Sequence, residues 1–241
     1  MANISFHLNS AIVPLVLGLV VSNCLIADEF DLDPQATYLK TFADPVPAGN
    51  LIDFSDMSFS IEEGNLLCIE RLGDFSKNRN CPDNRKDLIA VFSASDTILP
   101  NNELNRVVDA INAGIDVETL PTFDGGLPTD INEDFLVASA DGQKTSVKIY
   151  VPAGAQYLFL SARDTRFFDN FDPNRNYGVS FTRIDDLIGD VNCDGNIDLL
   201  DVMPFANLIL FGGYELKADV NLDDEVNLLD VDPFVELLVA G

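Results

Sequence analysis

The sequence predicts a mainly β sandwich followed by a small helical module. Three observations carry that expectation. Short segments with partial apolar–polar alternation, bounded by Gly, Pro, Asp and Asn, fill the middle of the chain. A C-terminal segment recurs in register 29 residues later. The length of 241 residues suits one sizeable domain plus a small module.

Residues 1–27 contain no Asp, Glu, Lys or Arg, and Ala11 to Val21, "AIVPLVLGLVV", is an uninterrupted apolar run. The run is short for a membrane span and fits the core of a signal peptide. Cleavage after Ala27 would leave an acidic start at Asp28. No Lys or Arg precedes the run, so an uncleaved anchor is the competing reading. Under the first reading the mature chain has no membrane span and is secreted or held at the cell surface. His7, the only histidine, belongs to the leader. A mature chain without it would lack Ser-His-Asp and Cys-His nucleophile systems and any His-ligated zinc. Carboxylate-pair glycosidase chemistry stays open. The absence of tryptophan removes the flat indole platforms on which many sugar-binding surfaces rely. Forty acids against fourteen bases give a net charge of −26, which a phosphate backbone would repel, so a nucleic-acid partner is not expected.

Residues 28–186 read as β. The segments "MSFSIEEGNLLCIERLG", "DLIAVFSA", "SVKIYVPAGAQYLFLSARD" and "YGVSFTRI" are strand-like, and the stretch can bury a sandwich core. Only "NNELNRVVDAINAG", Asn101 to Gly114, reads as helical, for a turn or two. Cys68 and Cys81 flank the turn-rich "RLGDFSKNRN". In an oxidising compartment they suit a loop-closing disulfide, with two unrelated thiols as the alternative.

The stretch from Val151 to Phe181, "VPAGAQYLFLSARDTRFFDNFDPNRNYGVSF", combines a strand ending in Asp164, an Asp/Asn-rich loop and a returning strand. It resembles the ending of galactose-binding-like jelly-roll domains, including calcium-dependent galactophilic lectins. "LIAVF" and "TDINEDF" upstream suit the same group. The resemblance implies a Ca²⁺ held by Asp164, Asp169 and Asn170, with sugar hydroxyls completing its shell. The competing reading is an Asn/Asp-rich turn that hydrogen-bonds its own backbone.

The repeat sets "DVNCDGNIDLLDVMPFANLI" from Asp190 over "DVNLDDEVNLLDVDPFVELL" from Asp219. Each copy fits the twelve-residue EF-hand-type calcium loop, which needs oxygen ligands at positions 1, 3, 5, 7, 9 and 12. The first copy offers Asp190, Asn192, Asp194, Asn196, Asp198 and Asp201. The second offers Asp219, Asn221, Asp223, Glu225, Asn227 and Asp230. Carboxylates this crowded repel one another until a bound Ca²⁺ neutralises them, so the module is expected to fold on metal. Position 6 needs a left-handed residue. Gly195 takes that conformation freely, whereas Asp224 is strained by it, and the second site is expected to be the weaker. Ile197 and Val226, at position 8, are expected to pair as a short bridge between the loops.

An aspartate at position 12 and a spacing too short for a full helix–loop–helix make residues 187–241 resemble the dockerin type I module. The resemblance implies one helix after each loop, two calcium ions, and a cohesin-like partner on a scaffold or cell surface. It also places Leu199, Leu200, Leu228 and Leu229, at loop positions 10 and 11, at the recognition face. Pro204 and Pro233 fall within the expected helices, where proline usually kinks. "LLDVMPFANLILF" is apolar around more of its circumference than one packed face can cover, so surface is left for a partner or for this chain's own sandwich. The combined expectation is a secreted, non-catalytic, calcium-binding and carbohydrate-binding protein tethered through its C-terminal module. The alternatives are a polysaccharide-degrading glycoside hydrolase on the same tether and a structural surface protein.

Overall fold

The computed structural model describes residues 27–42, 45–114, 122–124, 126–129, 131–184, 188–192 and 196–240. The expected leader, apart from Ala27, lies outside these residues, as do Cys193, Asp194 and Gly195.

Two antiparallel sheets form the larger part. The first has the order β1 (Ala27–Asp31), β11 (Gly178–Arg183), β3 (Leu66–Leu72), β9 (Ser146–Tyr150). The second has the order β2 (Asn50–Asp53), β10 (Tyr157–Ser161), β4 (Leu88–Ser93). The far edge of β4 is shared: β8 (Phe135–Ala138) pairs along Leu88–Ala90, and β5 (Ala110–Ile111) along Phe92–Ser93. A small hairpin, β6 (Phe123–Asp124) and β7 (Leu127–Pro128), stands apart.

Leu67 and Ile69 of β3, Val147 and Ile149 of β9, and Val179 and Phe181 of β11 pack against Leu88, Ala90, Phe92, Phe135, Leu158 and Leu160 of the other sheet. The intervening positions of the first sheet, including Cys68 and Lys148, which are ladder partners, face away from that core. The second sheet is buried on both sides. Ile89, Val91 and Phe159 turn outward into a second core with Tyr38, Leu39, Val107 and Phe167, supplied by long connections. This is why "DLIAVFSA" shows no alternation: all six residues of β4 are buried.

Asn101 to Gly114 does not form the expected helix. Leu99 N–H donates to the Arg106 carbonyl at 2.8 Å, Ile98 bridges Val107, and Ala110–Ile111 joins β4. The Arg106 guanidinium is buried and donates to the carbonyls of Thr37, Leu39 and Leu99. These tertiary bonds outweigh a weak local helical period. The expected Cys68–Cys81 disulfide is not formed either, and both thiols are free. Cys68 stands inside β3, about 13 Å along the strand from Leu72. Cys81 lies beyond that strand's end and the Gly73 turn, with its carbonyl accepting from Ser76 Oγ at 2.8 Å. A disulfide needs Cα atoms within roughly 7 Å.

The C-terminal part has two helices, α1 (Val202–Phe211) and α2 (Val231–Ala240), with a 3₁₀ turn at Leu228–Asp230 leading into the second. Phe205 and Phe234 stack at 4.0 Å between centroids, and Val191 and Ala218 complete a small core. Pro204 and Pro233 are each the third residue of their helix. In the first turn a missing N–H has no intrahelical partner to lose, so neither proline needs to kink its helix.

Candidate metal centres

The two loops repeat one hydrogen-bond pattern. Asp201, fully buried, accepts from the N–H groups of Asn192 at 2.8 Å and Asp198 at 2.9 Å. Asp230, also fully buried, accepts from Asn221 at 3.1 Å and Asn227 at 2.9 Å. The position-12 carboxylate therefore gathers the N–H groups of positions 3 and 9 in both copies. Position 9 in turn caps the next turn, Asp198 taking Leu200 N–H and Asn227 taking Leu229 N–H. In the second copy Asn227 and Asp230 make a reciprocal capping box. Loop closure and helix initiation thus use the same side chains.

The position-1 carboxylates, Asp190 and Asp219, are also buried. Asp219 Oδ1 accepts from Asp223 N–H at 3.0 Å. Its Oδ2 accepts from Asp224 N–H at 3.0 Å, Tyr214 hydroxyl at 3.2 Å and Lys148 Nζ at 2.9 Å. Burial alone would lower the Lys148 pKa, but the hydrogen bonds to Asp224 and Asp219 outweigh it and hold the pKa above the usual lysine range. Asp190 faces Lys217 Nζ at 3.9 Å. Burial lowers the Lys217 pKa, and the charge of Asp190 opposes that. Asp223 accepts from Asn221 Nδ2 and Glu225 from Asn227 Nδ2, so the remaining candidate ligands of the second loop are bonded to one another.

Asp224 has φ +69°, the left-handed conformation expected of position 6. The corresponding Gly195, and the candidate ligand Asp194, lie outside the described residues. Asn196 is exposed. The expected bridge between Ile197 and Val226 is not formed. Ile197 instead stands beside Gly189, whose φ is +94°, while Val226 packs on the phenylalanine core.

In the sandwich, Asp164 and Asp169 are close enough to interact electrostatically. Burial pushes the Asp164 pKa up and Asp169 adds to it, against hydrogen bonds from the Thr165 and Arg166 backbone and the charge of Arg85. Asn170 is buried with Nδ2 donating to Pro34 carbonyl at 2.8 Å. The Oδ1 atoms of Asp169 and Asn170 are buried without a hydrogen-bond partner, and so is Asp87 Oδ1, whose other oxygen pairs with Arg85. Buried acceptors lacking donors fit a cation better than a self-satisfied turn. Among the described residues no three His, Cys, Asp or Glu side chains stand close enough to hold a metal. An ion in the sandwich or in the loops would therefore draw on amide and main-chain oxygens, as calcium does, or on some movement of the carboxylates.

Sequence reading did not single out Asp87, Lys148 or Tyr214. Lys148 lies 71 residues from Asp219, and no local pattern in the chain links them.

The dockerin type I domain model matches residues 188–233. A dockerin domain is present here. Such domains bind Ca²⁺ and dock onto cohesins of scaffolds. No curated protein and no solved structure matches the chain. Around the dockerin, Leu199, Leu200, Leu228 and Leu229 are exposed, at 81%, 66%, 75% and 68% respectively. Met203, Leu210 and Phe211 are exposed too, so the sandwich does not cover the apolar excess of the first helix. Among the described residues no helix is long and apolar enough to cross a membrane.

Proposed function

We propose that the chain is an extracellular attachment protein whose dockerin, loaded with two calcium ions, docks onto a cohesin and presents the β domain. The observation that carries this reading is the pair of exposed leucine dipeptides at equivalent positions of the two loops, Leu199–Leu200 and Leu228–Leu229. Each follows directly on the capping residue that the loop itself positions. Between them α1 and α2 leave an apolar groove of about 330 Å³, lined by Val202, Ala206, Ile209, Val231 and Val235 among others. Large uncovered apolar surfaces of this kind mark interaction sites. Because the faces repeat, changing Leu199 and Leu200 to Ser weakens cohesin capture only slightly. Changing all four leucines abolishes it while calcium binding persists. Pull-down with a panel of cohesin domains, paired with calcium calorimetry, reads both. Capture by the four-fold variant would place the docking face elsewhere.

The β domain, in this reading, is non-catalytic and binds polysaccharide through a third calcium held by Asp164, Asp169 and Asn170. The orphaned buried oxygens of Asp169 and Asn170 support that assignment. Asp164→Ala and Asp169→Ala are each expected to lower calcium stoichiometry by one ion, measured by equilibrium dialysis with the fold checked by circular dichroism. Unchanged stoichiometry in folded variants would return the loop to a plain turn, and a glycan array in calcium against EDTA tests the sugar.

A further inference from the structure

We propose that Lys148 is a latch that competes with calcium for the second loop, so that loading this loop releases the dockerin from the β domain. The inference rests on reading that loop as a calcium site.

Lys148 projects from β9, the edge strand of the first sheet. Its ammonium reaches two residues of the loop, Asp219 Oδ2 at 2.9 Å and Asp224 Oδ1 at 2.9 Å. Asp219 is the position-1 ligand and is fully buried, while the Lys148 side chain is only 18% exposed. Three donors already converge on Asp219 Oδ2: the Lys148 ammonium, the Tyr214 hydroxyl and the Asp224 N–H. A Ca²⁺ on that oxygen would lie about 2.4 Å away. An ammonium 2.9 Å from the same atom would then stand within about 5 Å of a divalent cation, with little water between to screen it. The two cannot share Asp219 Oδ2. Once Lys148 leaves it, the remaining contacts are with Asp224, whose side chain is 81% exposed, and with the Tyr214 hydroxyl at 3.5 Å, and exposed contacts of this kind hold little.

The first loop differs. Its position-1 ligand Asp190 faces Lys217, which belongs to the dockerin itself and stands farther off, at 3.9 Å. By linkage, whatever affinity the second calcium loses to the latch, the latch loses to calcium.

Calorimetry on the full chain carrying Asp190→Ala and Asp169→Ala, which together remove the first loop and the proposed sandwich site, isolates the second loop. Adding Lys148→Met is expected to tighten its calcium affinity about tenfold, the size of a partly buried ion pair. Lys148→Arg, which keeps the charge, is expected to stay near the parent value. Equal affinity for the Met variant and its parent overturns the latch alone. No calcium at the second loop in any variant overturns the loop reading and the latch together. The unmutated chain supplies an independent measurement. Carbodiimide joins a lysine to a carboxylate it touches, and peptide mapping should find Lys148 linked to Asp224 or Asp219 in EDTA. Saturating calcium should reduce that link at least tenfold, and an undiminished link overturns the release.

Discussion

Asp230→Ala is expected to cost the dockerin about 3 kcal/mol and its second calcium together. The Asp230 carboxylate is fully buried and accepts from Asn221 and Asn227 N–H. It also closes the capping box that starts α2. Alanine leaves two N–H groups unpaired and removes a candidate calcium ligand in one step. Against this stands a core of four buried residues, Val191, Phe205, Ala218 and Phe234, too small to hold the domain by itself. Chelation is expected to act in the same direction on the unmutated chain, because the loop acids then repel without a counter-ion. Far-ultraviolet circular dichroism should show helical signal that falls in EDTA, returns with Ca²⁺ in the parent, and does not fully return in Asp230→Ala. A helical signal indifferent to both chelation and the substitution would mean that packing of Phe205 on Phe234 suffices.

What could be read from the sequence follows from how far apart the cooperating residues lie. The spacing within each loop is local, and the positive φ that it leads one to expect at Asp224 is there. The exposed leucines were legible because helical period shows when a face exceeds what one contact can bury. Strands facing a single core, such as β3 with Leu67 and Ile69 inward, announce themselves by alternation. By contrast, β4 is buried on both sides, and its connections to the second core have no period of their own. The free cysteines show the same limit: their spacing suited a disulfide, but Cys68 sits in the β3 ladder opposite Lys148 and both thiols are free. Lys148 is a single charged residue on an edge strand, and only tertiary structure brings it to Asp219.

Arg106 is the residue on which the misread segment turns, and Arg106→Met is expected to destabilise the β domain by about 4 kcal/mol. Its segment, Asn101 to Gly114, reads as a short helix in the sequence. The Arg106 side chain is instead buried, with Nη1 donating to Thr37 carbonyl at 2.7 Å and to Leu39 carbonyl at 2.9 Å, and Nε to Leu99 carbonyl at 3.0 Å. Burial lowers the Arg106 pKa, yet arginine stays charged under any condition in which the protein folds. Methionine fills similar space but leaves three carbonyls without a donor. Those carbonyls belong to segments that cover Ile89, Val91 and Phe159 on the outer side of the second sheet. Losing them should loosen the second core before the one between the sheets. Thermal unfolding is expected to shift down by about 10 °C, with early hydrogen exchange over residues 37–41 and 98–107. Arg106→Lys should recover only part of the loss, since an ammonium lacks the planar fork that spans separate carbonyls. A melting temperature for Arg106→Met within about 2 °C of the parent would show that the apolar contacts of Tyr38, Leu39 and Val107 hold these segments in place without it.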